Sequence, residues 1–407
     1  MTLISRRVLL VSLVILLITG SAAALFFFYQ AINLHAQTNL VTTRGVAADH
    51  STSTPLFSTP TAANTPPPAT ATSTPTPIPT ATSTPSPTPT SPPIPTPTPR
   101  PVPAPGGLPL HMLTGYWQNF ADGANPLRLS NISAYYTLIV VAFADADPNT
   151  PGGITFTLNA GLSSALGGYT TGQFTRDIAT LHARGKRVIL SVGGGNGTIA
   201  VSDATSAKNF TNSIYGLMRT YGFDGVDVDM EHNSLDVTNM TSALQQLARK
   251  VGPRLIVTLS PQTIDMQSTS DSYFQLALNI QNILSLANVQ YYNSGTMFGC
   301  DQQVYTEGTE DFLTALACIQ LQSGLNPAQV GLGVPGSPAA SSGGYVDPSV
   351  VKQALGCLAT AMPQTCGTFV PPSTWSIGSV TIWSINVDAS HGYPFANVIG
   401  PYLRTLP

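Results

Sequence analysis

Gly222-Phe223-Asp224-Gly225-Val226-Asp227-Val228-Asp229-Met230-Glu231-His232 sets acidic and apolar residues in strict alternation from Val226 to Glu231. Taken as a strand it alternates: Asp227, Asp229 and Glu231 share one face, and Val226, Val228 and Met230 share the other. Side chains two residues apart on a strand stand about 6.5–7 Å apart. Three carboxylates at that spacing resist joint ionisation, and repulsion with burial raises at least one pKa, so that a proton is retained near neutral pH. Two other readings compete, a solvated edge strand and a divalent-cation site. An acidic face backed by an apolar one suits the inside of a barrel better than an open edge. A calcium loop of the EF-hand type places its glycine after the acids, whereas Gly225 precedes all three.

Working outward, strand and helix patterns alternate across residues 107–407. Leu113–Trp117, Leu138–Phe143, Arg187–Val192, Leu255–Leu259, Asn288–Tyr292, Val330–Val334 and Val380–Trp383 read as strands beside the acidic one. Helices are expected over Phe174–Arg184, Ala204–Tyr221, Val237–Val251, Tyr273–Leu286, Glu310–Gln322, Pro348–Ala361 and Phe395–Leu403. About eight strands, most followed by a helix, in about 300 residues is the pattern of an α/β fold of the (β/α)8 TIM barrel type. An open doubly wound sheet is the alternative, but Gly193-Gly194-Gly195-Asn196-Gly197 lacks both the Lys-Ser/Thr of a phosphate loop and the spacing of a dinucleotide fingerprint.

The first hundred residues are of another kind. In residues 1–30, Arg6 and Arg7 precede an apolar run from Val8 to Tyr29, close to the ~20 residues that span a bilayer. Its flanking charge directs the remainder outward. This segment is expected to act as a signal peptide or an uncleaved transmembrane anchor. Residues 31–106 form a linker dominated by Thr, Pro and Ser, with no charged residue and no glycine from Ser51 to Pro99. Such a segment cannot bury a core, and its prolines hold it extended as a stalk. Over the whole chain only 9% of residues are charged, with a formal net charge of -3, which leaves no basic patch for nucleic acid.

In a barrel the chemistry gathers at the carboxyl ends of the strands. Those ends supply Tyr116 and Trp117 from the first, Ser191, Gly193 and Gly194 from the third, Asp229 and Glu231 from the fourth, and Gln262 after the fifth. Gln290, Tyr292 and Asn293 come from the sixth and Trp383 from the eighth. Carboxylates, amides and aromatic rings at one mouth match what a sugar needs: rings to stack on its apolar face and amides to bond its hydroxyls.

Asp224-Gly225-Val226-Asp227-Val228-Asp229-Met230-Glu231 resembles the Asp-Gly-x-Asp-x-Asp-x-Glu signature of glycoside hydrolase family 18, the chitinases and their relatives. Ser191-Val192-Gly193-Gly194 is similar to that family's Ser-x-Gly-Gly motif, and Gln290-Tyr291-Tyr292-Asn293 with Trp383 is similar to its sixth-strand tyrosine and eighth-strand tryptophan. The resemblance covers about residues 110–405 and is closest to compact bacterial and plant-type chitinases. It implies endo-type hydrolysis of chitin or chito-oligosaccharides by a substrate-assisted, retaining route, the exception that this family makes to the two-carboxylate scheme. Glu231 would then be the general acid, Asp229 would hold the substrate acetamide, Asp227 would share a proton with Asp229, and Tyr292 would bond the acetamide carbonyl. Trp383, Tyr116, Gln262, Gln290, Asn293, Ser191, Gly193 and Gly194 would line the sugar site. No cofactor or metal is implied, and a monomer is expected. An endo-β-N-acetylglucosaminidase acting on N-glycans, and a non-catalytic chitin-binding protein, are the alternatives. No insertion is apparent after the seventh strand, so a shallow cleft is expected.

The four cysteines contain no Cys-x-x-Cys pair, which argues against zinc. In an exported domain disulfides are permitted, and nearness in sequence favours Cys300–Cys318 and Cys357–Cys366 among the three pairings.

Overall fold

The computed structural model describes residues 105–231 and 235–407. The expected targeting segment, all but the end of the linker, and His232-Asn233-Ser234 lie outside the described residues. Among the described residues no helix is long and apolar enough to cross a membrane.

In chain order the strands are Met112–Gln118 (β1), Tyr136–Ala146 (β2), Ile154–Thr155 (β3), Arg187–Gly193 (β4), Gly225–Asp229 (β5), Ile256–Leu259 (β6), Leu286–Gln290 (β7), Thr296–Phe298 (β8), Val304–Thr306 (β9), Val330–Pro335 (β10) and Ser379–Trp383 (β11). The α-helices are Ala160–Ala165 (α1), Thr171–Ala183 (α2), Ala204–Tyr221 (α3), Val237–Val251 (α4), Ser272–Asn279 (α5), Glu310–Gln322 (α6), Pro348–Thr360 (α7), Ile385–Ser390 (α8) and Pro394–Leu403 (α9). Strands β1, β2, β4, β5, β6, β7, β10 and β11 pair in parallel, and β1 bonds to both β11 and β2, which closes the ring. This is the (β/α)8 barrel that the alternation of elements predicts.

Period-two alternation sorts each strand into two environments. Outward residues such as Val226, Val228, Leu190 and Val257 join the main core beneath the helices. Inward residues build the barrel interior in layers. Its lower end is apolar, filled by Met112, Leu138, Val140, Ile189, Ile256 and Leu286. Above that plug the inward positions turn polar, with Thr114, Ser191, Asp227, Thr258, Ser260, Asn288, Gln290 and Thr381 all buried. The acidic row of β5 therefore faces a polar upper chamber resting on a hydrophobic floor.

Local chemistry sets the boundaries of β5. Helix α3 starts on Asp203, whose side chain accepts from the Ser206 N–H at 2.7 Å, and it ends on Gly222 at φ 87°. Gly225 is required by close approach, because a Cβ there would lie 1.8 Å from the Ile256 carbonyl oxygen on β6. The strand stops at Asp229, so Glu231 sits just beyond its end rather than within it as the alternation suggested.

Other differences are local. The helix expected over Tyr273–Leu286 stops at Asn279, because Gln329 Nε2 donates to the carbonyls of Gln281 and Leu284, each at 2.7 Å, and satisfies that backbone without a helix. Strand β7 consequently begins two residues earlier than the pattern suggests. An antiparallel hairpin, β8–β9, follows the sixth barrel strand. A disulfide between Cys300 and Cys318 ties the connecting turn of this hairpin to α6, and a second joins Cys357 on α7 to Cys366.

The last turn of the barrel hangs on one acid. Asp388, fully buried on α8, accepts from the Tyr136 hydroxyl at 2.6 Å and from the backbone N–H groups of Phe395 (2.9 Å) and Ala396 (3.1 Å) at the start of α9. Removing its carboxylate strands three buried donors. Asp388→Ala is expected to lose about 3 kcal/mol or more of folding stability in urea denaturation, and an unchanged midpoint would contradict this account of the closing helices.

Candidate active site

The deepest group of the site is Asp227. Its carboxylate is fully buried and accepts from four hydroxyls, on β1, on β4, and on and just after β6: Tyr116 at 2.9 Å and Ser191 at 2.6 Å on one oxygen, Thr258 at 2.5 Å and Ser260 at 3.0 Å on the other. Tyr116 and Ser260 are also in hydrogen-bond contact with each other. Burial raises the pKa of Asp227, and the four hydroxyls pull against that rise. One step along β5, Asp229 accepts from the Gln290 amide at 3.0 Å, the one side-chain donor shown for it among the described residues, and the same nitrogen also donates to the Ser260 carbonyl at 3.0 Å. Burial first, then the carboxylates of Asp227 and Glu231, hold Asp229 well above the usual carboxylate range. Both buried acids are pushed upward, and the rise is the larger on Asp229, whose carboxylate accepts from fewer side-chain donors.

Glu231 is half-buried at the rim of a cleft of about 200 Å³, whose wall also includes Asp229, Gln262, Gln290, Tyr292, Asn293, Tyr116 and Trp383. Burial, then Asp229 and Glu231, keeps the Tyr292 phenol well above its ordinary pKa, so it stays a neutral donor. Trp383 stacks on Phe143 with ring centroids 5.7 Å apart and an interplanar angle of 22°, and it meets Tyr116 edge-on at 5.6 Å. A wider cleft of about 600 Å³ shares Phe143, Gly195 and Trp383 with the first and extends past Phe120, Asp145 and Asn159.

Not every residue expected at the sugar site faces it. Ser191 is fully buried and spends its hydroxyl on Asp227. Tyr116 presents its ring to the cleft while its hydroxyl is turned inward to Asp227. Gly193 and Gly194 shape backbone. A Cβ on Gly193 would lie 1.9 Å from the Asp229 carbonyl oxygen, and the Gly194 N–H donates to that same oxygen at 2.6 Å. Asn293 lines the cleft and accepts from the Ser342 N–H at 2.8 Å, steadying the loop after β10.

Several residues join the site without being singled out by the sequence. Phe143 ends the apolar run of the second barrel strand and lines the cleft. Asn288 takes the Thr381 hydroxyl at 2.7 Å on its amide oxygen, while its amide nitrogen is buried with no protein partner beside the cleft. Both lie on inward strand positions, a signal available once the barrel register is known. The expected neighbour His232 lies outside the described residues.

The sequence profile of glycosyl hydrolases family 18 matches residues 112–355. The chain belongs to glycosyl hydrolases family 18. Chitinase Chi52 of Paenibacillus xylanexedens is 34% identical over 331 residues, which cover 72% of this chain and 62% of that protein. Chitinase D of Niallia circulans is likewise covered over 62% of its length, so the chain spans less than two thirds of these curated relatives. Among solved family 18 folds, a Streptomyces coelicolor protein assigned as Chitinase A is 53% identical at a TM-score of 0.70, covering 73% of this chain and 99% of that one. A family GH18 chitinase from Chromobacterium violaceum is 34% identical at a TM-score of 0.66, covering 73% and 85%.

The electrostatics of this family 18 site bear on stability. An acid whose pKa is raised by folding binds its proton more tightly in the native state. Native stability is therefore greatest below the unfolded-state pKa of about 3.9, and falls as pH rises towards the raised value. Asp229→Asn mimics the protonated form and escapes that loss. In urea denaturation the stability of Asp229→Asn relative to wild type is expected to grow as pH rises from about 4 to 7; a difference independent of pH would contradict the raised pKa.

Proposed function

We propose that this chain is a chitinase, hydrolysing β-1,4 linkages between N-acetylglucosamine units of chitin and chito-oligosaccharides by endo-type attack with net retention. The observation that carries this reading is the arrangement of Glu231 at the cleft rim above the buried pair Asp229 and Asp227, with Trp383 and Tyr292 in the same cleft. Family relatives named as chitinases support the substrate.

In this scheme Glu231 protonates the glycosidic oxygen while the substrate's own acetamido oxygen attacks the anomeric carbon. The leaving bond breaks as the carbon–oxygen bond of an oxazolinium ion forms, and water later opens that ion from the original face. Asp229, carrying the proton, orients the acetamide and relieves charge next to Glu231. Asp227 answers the demand for negative charge because its four hydroxyl donors accommodate it as an anion. Tyr292 donates to the acetamide carbonyl, and Trp383 stacks beneath the sugar before the scissile bond. Gln262, Gln290 and Asn293 contribute polar contacts. No metal ion or organic cofactor enters the scheme, and the protein acts as a monomer. The wider cleft adjoining Trp383 gives room for further sugar units, which suits attack within a chain. Residues 1–30 would export or anchor the protein, and residues 31–106 would act as a stalk that presents the catalytic domain, residues 107–407, outside the cell.

Glu231→Gln is expected to fold normally and to lose about 10²–10⁴-fold in kcat on chitotetraose, with the wild-type product released first as the β-anomer. Near wild-type turnover by that variant would refute the acid assignment, and an α-anomer would refute retention. Wild-type turnover of a glycopeptide but not of chitotetraose would move the substrate to N-glycans.

A further inference from the structure

We propose that Tyr273, on α5, is a positioning residue that fixes the spacing of Asp229 and Glu231 by clamping the peptide between them. This rests on the catalytic reading given above. The peptide joining Asp229 to Met230 leaves the barrel just where β5 ends, so regular strand pairing no longer holds it. Two groups hold it instead. Its carbonyl oxygen accepts from the Gly194 N–H at 2.6 Å, and its N–H donates to the Tyr273 hydroxyl at 2.6 Å. The second contact comes from behind the site: Tyr273 is 3% exposed and reaches β5 from a helix outside the barrel. The Tyr273 hydroxyl also lies 3.4 Å from the Val228 carbonyl and 3.5 Å from that of Met230, so its proton has acceptors on the same segment.

The consequence follows from peptide planarity. With both polar ends of one plane fixed, the directions of the Cα bonds at 229 and 230 are fixed too. The Asp229 carboxylate leaves one side of that plane, and the chain to Glu231 leaves the other. Tilting the plane changes the separation of two acids whose interaction depends on distance. The phenol suits this task because burial, then the charge of Asp229, holds its pKa well above the ordinary tyrosine value, so that it stays a neutral acceptor. An ionisable or mobile group in its place would answer to the protonation of Asp229.

Tyr273→Phe removes the acceptor and keeps the ring. On chitotetraose, kcat per folded molecule is expected to fall at least tenfold with KM within about threefold, and the limbs of the pH–rate profile are expected to shift. 4-Aminophenylalanine at position 273 fills the same space as a poor acceptor, and is expected to show the same fall in kcat should the phenylalanine variant fold badly. A lower melting temperature accompanied by wild-type kcat per folded molecule and an unmoved pH profile would overturn the proposal, as would a rise in KM alone. Glu231→Gln on the same substrate separates the two levels. If it keeps turnover, the catalytic reading fails. If it is inactive while both Tyr273 variants behave as wild type, only the clamp fails.

Discussion

A carboxylate sealed inside a barrel must be provided with donors, and most of the upper chamber of this protein serves that need. Asp227 draws hydroxyls from β1, β4 and β6. Each comes from an inward position that an aliphatic side chain would occupy in an ordinary barrel core. Those hydroxyls make it tolerable to place a second acid, Asp229, one strand step above. Among the described residues Asp229 has one amide donor and two acidic neighbours, and burial with those neighbours holds its pKa well above that of a free aspartate. The same unequal provision of donors gives the pair its order: the lower carboxylate is the better accommodated anion, and the upper one is driven harder towards its protonated form.

The barrel architecture makes this arrangement affordable. Apolar side chains plug the lower interior, and outward valines on β5 anchor the acidic strand to the surrounding helices. The polar chamber is thus supported from below and from the side. Close backbone approach completes the support, because Gly225 allows β6 to lie against β5, and Gly193 lets the turn after β4 reach the Asp229 carbonyl. The price is local instability above the unfolded-state pKa of Asp229, a familiar trade between site chemistry and folding.

Much of this was legible in the sequence. The alternation of Asp227, Asp229 and Glu231 with Val226, Val228 and Met230 fixed which face of the strand is acidic, and the repeated strand–helix rhythm fixed the barrel. Gly222 marked the end of the helix that became α3. What stayed hidden depends on register between distant strands. Nothing near Ser191 or Tyr116 in the chain reveals that their hydroxyls converge on Asp227, 36 and 111 residues away. Phe143 and Asn288 stand in the sequence only as the end of one strand and the start of another, and only the closed ring turns them towards the cleft. The short helix ending at Asn279 escaped because the residue that ends it, Gln329, is remote in sequence. The end of β5 before Glu231 was masked by an alternation that continues past the last ladder bond.

The central claim is that the middle acid of the buried row holds a proton that a solvent-exposed aspartate would give up. Carbon-13 NMR of labelled aspartate carboxyls, assigned with Asp227→Asn and Asp229→Asn, measures this directly across a pH titration. The account predicts two coupled steps, with the upper one carried by Asp229 far above the ordinary value of about 3.9. Titration of Asp229 as a single independent group near that ordinary value would contradict it.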